Sequence, residues 1–218
     1  MPDIIVFGAG GHAKAVIDVI EKAGEYRIVG ILDSHQPPGT ECYGYEIVGG
    51  LDYLSAHRQQ IQGGTVAIGD NWTRYRITQS IRQVMPDFRF IRAVHPQASV
   101  ARGARIGEGS VIMAGAVIGS DAVVGDHCVM YTRSSLDHDS RLGHYATLAP
   151  NAATGGQVRI GDYSVISIGA SVIHGVIIGE HCVIGAGAAV LHDIPDCSVA
   201  YGIPAAIART RQPGERYL

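Results

Sequence analysis

From residue 94 to residue 190 of this 218-residue chain, an aliphatic side chain returns at every sixth position. The series runs through Val94, Val100, Ile106, Ile112, Ile118, Val124, Met130, Leu136, Leu142 and Leu148. It resumes after Thr154 with Ile160, Ile166, Val172, Ile178, Ile184 and Val190, so that one of seventeen positions is clearly polar. An amphipathic helix repeats near 3.6 residues and an ordinary strand at two, so a sustained period of six marks a solenoid. Two residues before each large side chain stands a small one, as at Ala98, Ser110, Ala122, Ser134, Ala146 and Ala170, with Val158 and Val176 as larger departures. One short strand and one tight turn per hexad put the large residue inside, let the small residue close the corner, and leave glycine to relieve the turn. The period fixes the length of the unit and not the number of units per coil. An antiparallel sandwich of six-residue strands would need varying register and loop lengths, which this regularity disfavours.

Residues 1–93 follow other rules. IIVFGAGGHAKAVIDVIEKAG reads as a buried strand at 4–7, a glycine-rich turn, and a helix over about residues 12–22. YRIVGILD and GGTVAIGDN read as further strands, WTRYRITQSIRQVM as a helix stopped near Pro86, and DFRFIRAV as a returning strand. The expected organisation is an α/β Rossmann-like domain over 1–93, a solenoid over 94–194, and a cap and tail over 195–218. VLHDIPDCSVAYGIPAAIAR leaves the rhythm and is expected to cover the last coil, whose strand edges would otherwise lie open. The final RQPGERYL is expected to be mobile.

The chain carries 17 Lys and Arg against 20 Asp and Glu, which gives no general pull toward nucleic acid or an anionic membrane. Four cysteines, at 42, 128, 182 and 197, have neither zinc spacing nor the density of a secreted disulfide scaffold. With no positive region ahead of the first apolar residues and no long apolar run, the expectation is a soluble cytoplasmic protein.

In GAGGHA, Gly8, Gly10 and Gly11 lie between a strand and a helix, where a turn can approach a ligand closely and a helix N-terminus favours phosphate. The spacing departs from the full dinucleotide fingerprint. Binding of a dinucleotide, binding of a nucleotide attached to a small substrate, and a purely structural turn all remain open at this point. Asp33, at the end of the second strand, is placed to accept a bond from a ribose hydroxyl or a base. His12 is either a surface residue at a helix start or a ligand contact.

The stretch SSLDHDSRLGHYATLAP, residues 134–150, breaks the composition of the repeat without breaking its period. Leu136, Leu142 and Leu148 keep the inward register, so His138 falls on a turn between anchored strands. An imidazole takes up a proton near neutral pH, and an acidic neighbour can fix its tautomer and strengthen it as a base. A solvated polar corner is the plain alternative. His174 and His192 follow His138 by six and nine hexads, which places all three in one column if a coil holds three hexads. At about 4.8 Å per coil, His138 is then too far from the other two for a shared ion, so no metal is expected.

Taken together, IIVFGAGGHAKAVIDVI, IGDN at 68–71, HPQASV, LDHDSRLGHYATLAPNAATGG and YGIPAAIAR resemble the hexapeptide-repeat acyltransferases, in particular the sugar O- and N-acetyltransferases with a Rossmann-like N-terminal domain. That branch includes sialic acid O-acetyltransferases and the bacillosamine and perosamine N-acetyltransferases. The resemblance implies a left-handed parallel β-helix with three hexads per coil. It also implies a homotrimer with active sites between subunits, acetyl-CoA as cosubstrate, and a nucleotide-linked amino sugar held by the N-terminal domain. It places the catalytic histidine at His138 and its acidic partner at Asp139, and the nucleotide contacts at Gly10, Gly11, His12, Asp33, Gly69 and Asn71. A second histidine found in some bacillosamine enzymes, nine residues beyond the first, is replaced here by Thr147, whose hydroxyl becomes the candidate contact on the thioester side. The implied reaction is N-acetylation of a nucleotide-linked 4-amino sugar by direct attack on the thioester. The alternatives are O-acetylation of a sugar or sialic acid, a nucleotide-sugar binding or scaffolding protein without activity, and an NAD-dependent oxidoreductase suggested by the glycine turn alone.

Overall fold

In the computed structural model, which describes residues 1–217, the first 84 residues form a five-stranded sheet with three helices. The elements are β1 (Asp3–Phe7), α1 (Gly11–Ala23), β2 (Arg27–Leu32), β3 (Glu41–Cys42), β4 (Tyr45–Gly49), α2 (Leu51–Ala56), β5 (Gly63–Val66) and α3 (Asn71–Val84). The sheet order is β3-β4-β2-β1-β5, parallel except for the β3–β4 hairpin. Ile4, Ile5 and Val6 are wholly buried because both faces of β1 are covered, which is why the strand reads as a continuous apolar run. In α1 the buried residues Ala13, Val16, Ile17 and Ile20 recur at helical spacing, and the helix stops at Gly24, whose left-handed φ of 67° lets its N–H reach the Ile20 carbonyl. Helix α3 begins at Asp70, whose carboxylate accepts the Thr73 N–H at 2.8 Å, and ends at Met85 ahead of Pro86.

Two features of this half differ from the sequence reading. The β3–β4 hairpin turns at Tyr43 and Gly44, both at positive φ, in a segment with no alternating apolar pattern to announce it. DFRFIRAV does not become a full strand of the first sheet. Phe90 makes one bridge to Gly64, and Ala93–Val94 then joins the solenoid as its first rung.

The repeat builds seventeen two-residue strands, from β6 (Ala93–Val94) to β22 (Ala189–Val190), in three parallel sheets. Ladder partners lie three hexads apart, as in Val117 with Ser135 and Val123 with Arg141, so three hexads make one coil of a triangular prism. Ile112, Ile118, Met130, Leu136, Leu148 and Ile166 point inward and are fully buried. Serines at the small positions stay satisfied in the dry interior: the Ser140 hydroxyl donates to the Gly155 carbonyl and accepts the Val158 N–H one coil on.

One face of the prism is covered. Val111, Met113 and Val129 on its outer side share a core with Val16, Val19 and Ile20 of α1, so the sheet domain and the solenoid are welded along this docked face. Beside it, four left-handed corner residues one coil apart stack as an aromatic column: His127 on Tyr145, Tyr145 on Tyr163 and Tyr163 on His181, with centroid separations of 4.9, 5.5 and 4.6 Å. Trp72 and Tyr75 of α3 meet the column edge-on. Among the described residues the strands of the other two faces share no core with the sheet domain. One presents Ser99, Val117, Ser135, Ala153, Ser171 and Ala189 outward, and the other Arg105, Val123, Arg141, Arg159 and Ile177.

After the last coil, a hairpin of β23 (Ser198–Gly202) and β24 (Ala205–Thr210) extends the docked face by pairing β23 with Val183–Ile184. The residues that follow do not swing loose as the sequence suggested. Arg211 is buried and donates to the His181 carbonyl at 3.0 Å, and the Tyr217 hydroxyl donates to the Gly69 carbonyl at 3.0 Å. Tail side chains with hydrogen-bonded partners across the molecule override a composition that reads as flexible; Leu218 lies outside the described residues.

Candidate active site

His138 occupies the corner between the two uncovered faces, held by Leu136 and Leu142 buried on either side of it. The corner backbone is pinned at three points. The His138 N–H donates to Asp137 Oδ1 at 2.7 Å, the His138 carbonyl accepts the Gln157 N–H at 2.9 Å, and the Asp139 N–H donates to the Ser120 carbonyl at 3.0 Å. Thr154, the one polar member of the aliphatic series, lies directly below. Its hydroxyl oxygen accepts the Asp137 N–H at 3.1 Å, so the break in the pattern serves this corner.

Asp139 sits at the left-handed position of the turn, φ 58°, which brings its carboxylate alongside the preceding ring. Oδ2 lies 2.8 Å from His138 Nδ1. This contact, and next the charge of Asp137, raises the imidazole pKa above its ordinary 6.5. With the Nδ1 proton directed at Asp139, Nε2 is the nitrogen left to accept a proton. Both side chains are more than half exposed.

One coil below, Gly156 leaves the space that the ring fills. A Cβ at this position would stand 2.4 Å from Nε2 and 2.5 Å from Cε1. Among the described residues the Gly156 N–H has no acceptor, so an unpaired donor belongs to the residue against which the ring packs. His174, two coils below His138 in the same column, has its backbone against Gly155 and not against His138. Among the described residues no three His, Cys, Asp or Glu side chains converge as metal ligands do.

In the sheet domain, a pocket of about 150 Å³ opens at the C-terminal ends of β1 and β2, lined by Phe7, Gly8, Leu32, Asp33, Leu51, Ile68 and Thr73 among others. Gly8 has φ 105°, and a Cβ there would strike Ile68 Cδ1 at 2.6 Å, so the turn requires glycine on both counts. Gly10 and Gly11 have open space around them at the start of α1. Asp33 spans the pocket wall: Oδ2 accepts the Ala9 N–H at 2.8 Å, and Oδ1 accepts those of His35 and Gln36 at 2.8 and 3.1 Å. Partial burial pushes its pKa up, but these three donors outweigh that and hold it below the ordinary value.

The remaining expected site residues are turned elsewhere. The His12 ring faces the solenoid, with Nδ1 3.1 Å from the Tyr131 hydroxyl, and burial first and then Arg74 push it down to about 4, so it is neutral. The Asn71 side chain donates to the Tyr163 carbonyl at 3.1 Å and accepts from Arg74 at 2.7 Å, which makes it part of the joint between domains. Thr147 is likewise turned from the His138 corner of its own chain. It lies on the docked face, 3% exposed, and its hydroxyl donates to Asn71 Oδ1 at 2.7 Å under α3. The nine-residue offset crosses half a coil and lands on a different face of the prism. Gly156 escaped the sequence reading although the three-hexad period pointed to it. Arg74 also escaped, although the buried spacing Asn71, Arg74, Thr78 and Ile81 places a charge on the inner side of α3.

Comparison with known proteins bears on this arrangement. Residues 3–81 match the PglD N-terminal domain model, and residues 103–136 and 157–192 match the bacterial transferase hexapeptide model. The chain is 37% identical to PerB of Caulobacter crescentus, solved with CoA and GDP-perosamine, at TM-score 0.89, with 96% of this chain and 98% of that one covered. It belongs to the family of nucleotide-sugar N-acetyltransferases with a PglD-type domain and a left-handed hexapeptide β-helix. The acetyltransferase domain of PglB from Neisseria gonorrhoeae shares 33% identity at TM-score 0.86, over 95% of this chain and all of that one. The UDP-N-acetylbacillosamine N-acetyltransferase of Bacillus subtilis is 34% identical over 119 residues, a match spanning 52% of each chain. The pocket of the sheet domain falls within the first of these matches, and the His138 corner lies between the two hexapeptide segments.

Proposed function

We propose that this protein transfers the acetyl group of acetyl-CoA to the amino group of a nucleotide-linked 4-amino sugar. The observation that carries the reading is the His138 corner, where a ring whose Nδ1 is fixed by Asp139 packs its Nε2 edge over Gly156, whose N–H has no acceptor among the described residues. His138 Nε2 takes the proton of the sugar amine as its nitrogen attacks the thioester carbonyl, and Asp139 stabilises the imidazolium that forms. The Gly156 N–H supports the oxyanion of the tetrahedral intermediate. On collapse the carbon–sulfur bond breaks, and the proton held by His138 passes to the departing thiolate, which yields the N-acetyl sugar and CoA. The four cysteines take no part; Cys128 is buried in the solenoid with its thiol pushed up to about 12 by that burial, and it is no nucleophile.

The nucleotide is held in the pocket of the PglD-type domain, with its base and ribose near Asp33 and its phosphates near the Gly10 and Gly11 turn. That domain rides on the docked face, whereas His138 occupies the opposite corner of the prism, across a face of up to about 20 Å if its six residues were fully extended. One chain does not bring its own nucleotide pocket to its own imidazole, so the working unit is a homotrimer in which a neighbour completes each site. No helix among the described residues is long and apolar enough to cross a membrane, and the cysteines are unpaired, in keeping with action in the reducing cytoplasm.

The test is thiol release and product mass with acetyl-CoA and UDP-, GDP- and dTDP-linked 4-amino sugars. A mass gain on the amine, reduced about 100-fold or more by His138→Ala with assembly and CoA binding retained, supports the reading. A gain on a hydroxyl would reassign it to O-acetylation. Nucleotide-sugar binding without thiol release across the panel would make it a binding protein.

A further inference from the structure

Arg74 is the bulkiest fully buried side chain of the protein, 1% exposed, and among the described residues it meets no carboxylate. All five of its N–H groups are used, each on a neutral oxygen. Nε donates to the His127 carbonyl at 2.8 Å, Nη1 to the carbonyls of Ile68 and Gly69 at 2.8 and 3.0 Å, and Nη2 to Asn71 Oδ1 and the Tyr145 carbonyl at 2.7 and 2.9 Å. Burial pulls its pKa down, yet a guanidinium starts so high that it keeps its proton at neutral pH. A full positive charge is therefore enclosed with its hydrogen bonds satisfied and no ion pair among the described residues, Asp70 acting on it only through space, an expensive arrangement for a part that only joins domains. Asp70 is the acid nearest in sequence, and its Oδ1 accepts the Thr73 N–H, not the guanidinium.

Two of the five acceptors belong to the turn between β5 and α3, at the rim of the nucleotide pocket, where Ile68 and Thr73 form part of the wall. In a trans peptide the C=O of one residue and the N–H of the next point in opposite directions. Pinning the Ile68 and Gly69 carbonyls inward on Arg74 therefore turns the N–H groups of Gly69 and Asp70 outward. Neither has an acceptor among the described residues. The Gly8 turn lies against this one, Gly8 facing Ile68 Cδ1, so the outward donors belong to a loop whose Ile68 and Thr73 line the pocket together with Gly8.

We propose that Arg74 is a positioning residue for the diphosphate of the nucleotide sugar: it aims the Gly69 and Asp70 N–H groups at the phosphates, whose charge balances its own. The proposal rests on the reading of the pocket as a nucleotide site. Being behind the turn, Arg74 acts through the peptide groups and through its field, and it touches no ligand atom. Its contribution grows with the charge of the ligand and vanishes for a nucleoside.

The test is calorimetric titration of the full-length protein with UDP and GDP, and with uridine and guanosine, in wild type, Arg74→Lys and Arg74→Gln. Whichever diphosphate wild type prefers is expected to bind about tenfold or more weakly to Arg74→Gln, with its nucleoside changed less than about threefold. Arg74→Lys, which keeps the charge, is expected to hold the ratio of diphosphate to nucleoside affinity within about threefold of wild type. Equal losses for both ligands in Arg74→Gln would reduce Arg74 to a scaffold, and loss of the ratio in Arg74→Lys would show that charge is not the agent. Either result overturns the proposal. Should Arg74→Gln not fold, Asp70→Asn keeps a helix cap while removing a negative charge beside the outward donors, and it is expected to raise the diphosphate-to-nucleoside ratio about threefold. An unchanged ratio there overturns the proposal too. A wild-type chain that binds neither UDP nor GDP refutes the nucleotide reading beneath it, a failure distinct from the others.

Discussion

Gly156→Ala isolates the geometry of the base from its chemistry. The added Cβ would stand 2.4 Å from His138 Nε2 and 2.5 Å from Cε1, where ordinary contact begins at 3.4 Å, so the ring must withdraw by about 1 Å. The backbone at Gly156 is outside the left-handed region, and the atoms it meets first are the exposed end of one side chain, so the fold absorbs the methyl group readily. The catalytic site does not. Rotation of the imidazole breaks the 2.8 Å contact of Nδ1 with Asp139 and displaces Nε2 from its place over Gly156. A misplacement of about 1 Å in a reacting group costs on the order of 100-fold in rate. Steady-state thiol release with both substrates saturating should therefore show kcat lowered about 100-fold, while the unfolding midpoint moves by no more than about 2 °C, the range of a neutral surface change. Gly119→Ala provides the contrast. There the Cβ meets the His138 backbone nitrogen at 2.5 Å and the Asp137 carbonyl carbon at 2.7 Å, so the coil itself must distort and stability falls with activity. A Gly156→Ala enzyme with kcat within threefold of wild type would refute the assignment of Nε2 as the working nitrogen.

Two further outcomes follow from the same corner and from the joint. Because Asp139, and then Asp137, raise the His138 pKa, the neutral base is lost as pH falls through a value above 6.5; Asp139→Asn should lower that pKa and move the acid limb of the kcat profile to lower pH, with a reduced plateau. An unmoved limb with the same acceptor sugar would exclude the Asp139 contact as its cause. Thr147→Val should cost about 1 kcal/mol in denaturant unfolding through loss of its bond to Asn71, with KM for acetyl-CoA unchanged; a raised KM would return Thr147 to the thioester.

What the sequence disclosed followed from strict periodicity. Once ladder partners are three hexads apart, Leu136 and Leu142 must point inward and the residues between them must form a corner, so the placing of His138 was legible without coordinates. Where the chain lacks a period, legibility fell. The Tyr43–Gly44 hairpin depends on two backbone angles that no apolar alternation announces. Asn71 and Thr147 are 76 residues apart, and only the docking of α3 shows that they spend their polar groups on each other. The tail was misread because composition cannot register that Tyr217 has a waiting carbonyl at Gly69.

The prism explains why these errors fell where they did. A triangular coil offers three faces and three corners, and a domain welded to one face occupies the two corners beside it. Tyr131 at one of those corners meets His12, and His127, Tyr145, Tyr163 and His181 at the other meet Phe90, Trp72 and Tyr75. Among the described residues no hydrogen bond or aromatic contact ties the third corner to the sheet domain, and it carries His138. Buried polar residues on the docked face and its corners, such as Thr147 and His127, are turned toward the sheet domain, whereas His144 and Asp126 at the same corner remain half exposed and pair with each other. A residue's place within the three-hexad coil, which assigns its face or corner, therefore separates catalytic from structural candidates more sharply than its distance along the chain from His138.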